Sequence, residues 1–459
     1  MRDASCARDP RPRSRSSLSG TIRSALLIGI GAIGCAAPGA FAAPEFGAEL
    51  ALEARATDNV ARQSDNEQDD IVYTPELAVS YAQQVGRIDI GSAYRLQYRF
   101  FQDDSFPSDQ IWTGTTAITT ELVPNRLLWN IDHSRDQTLR EPRAVNTPDN
   151  QQEIQNLGTG LDLAVLATDR NRLDVRGGVN RQSGSRFGSD SLRYDAGLNF
   201  SRRTSAQQRI GLAADWLDVD YDDPIPGFQR YGTFVTFERQ GRRYSLDGRL
   251  GYNWIERSGS ERTGGSALSL GGSWELSSRQ TLSLNASRQL TDRSAQLDFR
   301  RPQPGFSDDL EEAEFNGEIF EETSATLGYR VAMERWSGAL SVSWSEDDFD
   351  VVESVTAATR DQTRTRYTGS VDYRLTRDLV LAANASMEII EFTTQDREDE
   401  LITLGVDLRW QLGPRTSLSA GLRREERDSA GGTGGVGGFG GIADYEENAA
   451  ILSIRRTLL

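Results

Sequence analysis

The sequence predicts an all-β fold: a transmembrane antiparallel up-and-down β-barrel of about 20 strands (18–20), with short periplasmic turns and long acidic external loops. Three observations carry that expectation. Apolar and polar residues alternate with a period of two in segment after segment, and short and long connections alternate between those segments. The 459-residue chain is also lean in apolar residues, at 37% with a mean hydropathy of −0.53. A soluble chain of this length builds two or three domains, each with its own apolar core. A barrel needs apolar side chains at only every second strand position and holds water inside, so low hydropathy follows.

Taken in order, the first element is a leader. Arg11, Arg13, Arg15 and Arg23 precede the apolar run 25–33, and Ala40-Phe41-Ala42 precedes Ala43, which is the layout of a secretory signal peptide over residues 1–42 with cleavage after Ala42. The barrel is then residues 43–459. A lipoprotein reading at Ala32-Ile33-Gly34-Cys35 has small residues before the Cys but Ala where a larger aliphatic is usual. The apolar run is too broken to serve as a membrane span. Cys6 and Cys35 are the only cysteines, so cleavage leaves no disulfide and no thiol chemistry. It also removes six Arg and two Asp, a net four positive charges, taking the formal charge from −17 to −21. So acidic a chain excludes nucleic acid as a partner, because phosphates demand the opposite sign.

The strands follow. On an extended chain successive side chains point to opposite faces. In residues 86–101, GRIDIGSAYRLQYRFF, this puts Ile88, Ile90, Tyr94, Leu96, Tyr98 and Phe100 on one face, opposite Arg87, Asp89, Arg95, Gln97 and Arg99. Phe46, Ala48, Leu50, Leu52 and Ala54 make the ladder before it, then Ile71, Tyr73, Leu77, Val79 and Tyr81. Later ladders run over 173–179, 192–200, 244–254, 268–276, 336–344, 367–375 and 402–412. The alternation is faintest at 231–237 and 449–459. Short polar turns stand at 83–86, 124–125, 168–171, 204–208, 240–241, 277–279, 333–334, 376–377 and 413–414, with longer segments such as 102–110, 136–152, 291–318 and 345–364 between them. Nine turns and ten loops predict 20 strands. A barrel of that size leaves an open aqueous interior unless a loop folds into it.

The motifs fit that frame. Trp129, Trp216, Trp254, Trp274, Trp336, Trp344 and Trp410, with Tyr73, Tyr81, Tyr94, Tyr98, Tyr244, Tyr252, Tyr329 and Tyr373, mostly share the apolar phase of their strands, as interfacial girdles do. On the polar phase an Asp-x-Arg pair recurs: Asp174 with Arg176, Asp247 with Arg249, Asp372 with Arg374, Asp407 with Arg409. These pairs, and a basic ladder of Arg87, Arg95 and Arg99, are expected to line the lumen, either as a wall that passes polar solutes or as the paired charges any wet barrel requires. Acidic runs at 218–223, 308–314, 346–350 and 396–400 are expected mainly in the external loops, solvated or bridged by divalent cations to lipopolysaccharide. They lack the Gly and distal Glu of a helical calcium loop. The tract GGTGGVGGFGG at 431–441 lacks the Lys-Ser/Thr ending of a phosphate cradle and reads as an external loop. His133, the only histidine, lies between Asp132 and Ser134, which fall on the opposite face and so cannot relay protons with it. No enzyme, cofactor or metal site is expected.

The chain resembles the β-barrel porins associated with exopolysaccharide gene clusters in Gram-negative bacteria. The likeness spans about 44–459 and rests on Thr57-Asp58-Asn59-Val60, Tyr73-Thr74-Pro75-Glu76-Leu77, residues 94–98, Pro124-Asn125-Arg126-Leu127 and Gly158-Thr159-Gly160-Leu161. It implies an outer-membrane barrel that exports or accommodates surface polysaccharide, with outer-membrane lipid, lipopolysaccharide and the barrel-insertion machinery as partners. One departure is the final residue: many such barrels end in Phe, which that machinery reads, whereas this chain ends in Leu459. A non-conducting surface barrel is the alternative, and a barrel enzyme using His133 a more distant one.

Overall fold

In the computed structural model of the chain, residues 44–140, 144–184, 190–222, 226–257, 262–292, 319–349, 361–393, 397–431 and 444–459 are described. The leader, the run 308–314 and nearly all of the Gly-rich tract lie outside them.

Twenty strands form one antiparallel sheet. In chain order they are β1 Glu45–Thr57, β2 Asp70–Val85, β3 Ile88–Phe101, β4 Asp109–Val123, β5 Leu127–Leu139, β6 Gln151–Ala167, β7 Asn171–Gly184, β8 Ser191–Ser205, β9 Gln208–Tyr221 and β10 Phe228–Gln240. The second half continues with β11 Tyr244–Arg257, β12 Thr263–Ser277, β13 Gln280–Asp292, β14 Ile319–Ala332, β15 Trp336–Asp348, β16 Gln362–Arg374, β17 Leu379–Phe392, β18 Arg397–Gly413, β19 Thr416–Gly431 and β20 Tyr445–Thr457. Each pairs with its neighbours in sequence, and β20 pairs with β1, Leu52 opposite Ile454, which closes the barrel and leaves no edge. The only helical element among the described residues is a 3-10 turn, Pro148–Asn150.

The predicted count of strands is therefore observed, and the two faintest segments, 231–237 and 449–459, fall in β10 and β20. The nine short connections hold two to four residues. Two of them close through left-handed backbone, at Gly86 (φ 60) and Asn125 (φ 57), residue types that tolerate it. The ten others are mostly longer, but β17 and β18 are joined by only the four residues 393–396. Here the expectation of acidic loops needs correcting: Arg397–Glu400 belongs to β18, Glu346–Asp348 to β15, and Asp218 and Asp220 to β9. Strands of 13 to 17 residues exceed the roughly ten that cross a bilayer, so the acidic runs ride on strand ends that project past it.

The two faces differ as the alternation predicts. Leu422 (68% exposed), Leu250, Leu340 and Leu212 stand on the outer face among a continuous cover of Leu, Val, Ile and aromatic side chains. A soluble monomer does not display so large an apolar surface. All seven Trp and eight Tyr singled out above face outward in this register, and Trp112 joins them. They form two belts. Near the short turns Tyr244 pairs with Trp274 and Trp336 with Tyr373; near the long loops Tyr231 lies opposite Trp216 and stacks on Trp254, with ring centroids 5.6 Å apart. On β11 ten residues separate Tyr244 from Trp254, about 34 Å along the strand and about 25 Å along the axis at a typical barrel tilt, which matches the apolar band of an outer-membrane barrel.

Candidate functional site

The candidate site is the lumen. Its wall is built by the residues of opposite phase, and the predicted lining residues take up the following places. Arg95, Arg99, Asp174, Arg176, Asp247, Arg249, Asp372, Arg374, Asp407 and Arg409 share the inward phase, whereas Arg87 sits in the two-residue turn before β3. The basic ladder is neutralised where it forms: Arg95 Nε lies 3.4 Å from Glu76, and Arg99 bonds Asp109 through Nε at 2.8 Å.

The Asp-x-Arg spacing does not produce the ion pairs it suggests. Arg176 of β7 reaches across β8 to Asp215 of β9, 3.3 Å away. It passes over Gly197, where a Cβ would stand 2.6 Å from Arg176 Nε. Arg249 of β11 reaches the same carboxylate from the other side, its guanidinium 3.6 Å from the centre of the Phe234 ring. Arg409 likewise pairs with Asp372 two strands away, while Asp174 takes Arg172 at 2.8 Å. Residues two apart on one strand are about 7 Å from each other at the backbone, a gap that a long Arg side chain can close along its own strand, as Arg172 does, or forgo by leaning over small neighbours to partners on other strands. Asp215 thus becomes the hub of five strands, a role that its place in the alternation shows only as inward-facing.

Two segments fold into the lumen at the long-loop end. The connection 58–69 lies on β20: Asp58 and Asn448 exchange backbone and side-chain bonds, and the buried Asn59 donates from Nδ2 to the carbonyls of Gln63 and Glu446 at 2.7 and 3.0 Å. Arg62 is lodged beyond it in left-handed backbone (φ 52). Its Nε donates to Glu447 at 3.0 Å, Nη2 lies 3.1 Å from Glu425, and Nη1 donates to the Asn146 carbonyl at 2.9 Å. Burial alone would lower its pKa, but Glu425, then Tyr445 and Glu447, outweigh that and hold it raised. Tyr445 donates to Glu425 at 2.6 Å, and Arg55 also pairs with Glu447.

The second segment is the outer end of the β13–β14 hairpin. β12 follows β13 only as far as Arg288, opposite Leu268. Beyond that point β13 parts from β12 and the end of the hairpin bends inward, while β14 stays paired with β15 as far as Glu321 opposite Asp348. Leu290 and Ile319 pack on Leu217, Val219, Tyr221, Phe228 and Ile255, which are inward-facing residues of β9, β10 and β11. Arg230 and Asn253 donate to the Leu290 carbonyl, each at 3.2 Å. Arg193 of β8 pairs with Asp292, which also accepts a bond from the Tyr221 hydroxyl at 2.7 Å. Most large buried side chains therefore lie at this end. The sequence predicts an interior that is open unless a loop folds into it, and here part of it is filled.

A cavity of about 1080 Å³ remains between the Arg62 segment and the wall from β12 to β20. Its charged lining among the described residues is Arg55, Arg62, Arg330, Arg366, Arg423 and Arg427 with Glu388, Asp407 and Glu425, and Ser, Thr and Asn make up nearly half of the rest. Glu388 lies between Arg364 and Arg366, at 3.2 and 2.7 Å.

His133 is on the outer face, its Nδ1 2.5 Å from the Tyr94 hydroxyl, while Asp132 and Ser134 face inward. Among the described residues no group of three or more His, Cys, Asp or Glu side chains converges to hold a metal ion.

The siderophore receptor PirA from Acinetobacter baumannii has a similar structure, 8% identical over 90% of this chain and 80% of that one, with a TM-score of 0.52. Its namesake from Pseudomonas aeruginosa is 10% identical over 90% and 80% (TM-score 0.46), and Pseudomonas aeruginosa OpdO is 13% identical over 90% and 98% (TM-score 0.40). At 8% identity the likeness to the Acinetobacter baumannii receptor is one of fold alone. No curated protein matches the sequence. Residues 346–455, the wall from the end of β15 into β20, match the family model described as "Putative beta-barrel porin 2", and over that stretch, C-terminal to every motif that suggested it, the expected likeness to outer-membrane porins is borne out.

Proposed function

We propose that the protein is a porin-like passive conduit in the outer membrane of a Gram-negative bacterium, carrying polar solutes or a secreted exopolysaccharide. The observation that carries this reading is the pairing of an outer face covered in exposed Leu and aromatic residues with a closed ring enclosing a polar cavity. The porin-family match over 346–455 supports it, as does a leader at 1–42 fit for export. In this reading the short turns are periplasmic and the long connections external, and the acidic strand ends meet lipopolysaccharide through divalent cations.

A second reading has a specific observation in its favour. Arg62 and the β13–β14 hairpin fill the long-loop end, as they would in a non-conducting surface barrel. Single-channel recording in planar bilayers separates the two. A steady open level supports the conduit; its absence in a protein shown to be folded and inserted refutes it.

A further inference from the structure

The chain has 68 acidic residues against 51 basic ones, so a wall drawn from it at random is acidic. The lumen face of β1 to β6 follows that rule: Glu53, Glu76, Asp89, Glu121, Asp132 and Asp162 outnumber Arg55, Arg95 and Arg99 there. The cavity wall breaks it. Among the described residues six Arg meet three carboxylates there, an excess of three positive charges. Adding the ionic groups bonded to them among the described residues, Arg364, Asp399 and Glu447, still leaves an excess of two. Around these guanidinium groups Ser341, Thr368, Ser370, Asn384, Ser386 and Thr403 supply hydroxyl and amide donors and acceptors, carried by neighbouring strands about 4.8 Å apart.

We propose that this cavity is a holding site for anionic, polyhydroxylated solutes, with carboxylated sugar chains as the class it suits best. The inference rests on the conduit reading and specifies its cargo. Guanidinium groups engage carboxylates in two-point hydrogen bonds, while the hydroxyl and amide carpet exchanges bonds with sugar hydroxyls as water does. The acidic wall opposite repels the same solute and holds it to the cationic side. Confinement in a polar cavity with low-dielectric walls strengthens both effects relative to open water.

The test uses the full mature chain, folded in detergent and inserted in planar bilayers. Hexagalacturonate is added as the carboxylated probe and maltohexaose as the neutral one. The expected result is interruption of the current by hexagalacturonate at a concentration at least ten-fold lower than maltohexaose requires. In the pair Arg330→Glu with Arg366→Glu, which turns the lining charge from an excess of three to a deficit of one, the two sugars should act alike. Retention of the folded barrel is read from its heat-dependent mobility on gels, and Arg330→Gln with Arg366→Gln serves where the Glu pair does not fold. Calorimetric binding of hexagalacturonate to the detergent-folded protein runs in parallel and needs no conduction. Conductance without preference for the anionic sugar overturns the inference alone. Binding without conductance overturns the conduit reading alone, and neither binding nor conductance overturns both.

Discussion

At the scale of single residues, the interior is organised by Arg, which supplies every basic side chain of the protein. A guanidinium is planar and offers donors in a fork, so one residue can tie several elements together. Arg62 does this for connection 58–69, β19, β20 and the residue Asn146. Its left-handed backbone is unfavourable for a side chain of this size and persists because the bonds around it compensate. Arg62→Ala should leave Glu425 and Glu447 without their shared cation, each keeping one other Arg (Arg423 and Arg55), and lower stability by about 1–3 kcal/mol. Released from the wall, the segment should also cease to narrow the lumen, so single-channel conductance should rise. Arg62→Lys, a point charge that reaches one carboxylate rather than two, should fall between. The sign of the pH dependence is fixed as well. A raised pKa on a base contributes stability that is present below its ordinary value and lost only above it. Conductance through the unaltered barrel should accordingly hold constant between about pH 7 and pH 10.

At the scale of elements, the β13–β14 hairpin is the part that departs from the repeating pattern. Leu290 and Ile319 sit in the phase that elsewhere meets lipid, yet they cap an apolar patch on the inner wall of β9 to β11. Replacing both by Ser should remove roughly 2–4 kcal/mol of apolar packing and free the hairpin's outer end. Asp292→Ala should do so by another route, leaving Arg193 buried without its carboxylate. Both variants should show larger conductance steps in planar bilayers, and equal steps would refute an obstructing role. This hairpin also marks what the sequence makes legible. Period-two alternation reports which face a residue takes, so the 20 strands, both faces and the aromatic belts could be read directly, even for segments as faint as 231–237. Ion-pair partners depend on register between strands distant in sequence, which is why Asp215 as a hub and the pairing of Arg409 with Asp372 left no local trace. Arg62 lies in a connection with no period at all. Leu290 misleads because the strand keeps its alternation after leaving the wall at Arg288.

At the scale of the whole molecule, the barrel has its core turned outside in. Its continuous apolar surface is the exterior, and most of the stabilisation that a soluble protein obtains from a packed centre must come from hydrocarbon around it. The same substitution should then have unequal costs on the two sides of one strand pair. Leu250 of β11 lies midway between the two aromatic belts on the outer face, 62% exposed, and opposite Leu268 of β12. Leu250→Arg puts a charge at the centre of the bilayer and should cost about 2–4 kcal/mol in lipid. Ser269, the next residue along β12, faces water in the lumen beside Arg249, and Ser269→Arg should cost no more than the repulsion between two screened guanidinium groups, under about 1 kcal/mol. Reversible unfolding in urea with the protein in phospholipid vesicles measures both. The contrast should vanish in detergent micelles thin enough for the new Arg to reach water, and it should be absent altogether in a protein that folds in buffer without any amphiphile. Equal costs at the two positions in vesicles would mean that the Leu-rich face does not meet hydrocarbon.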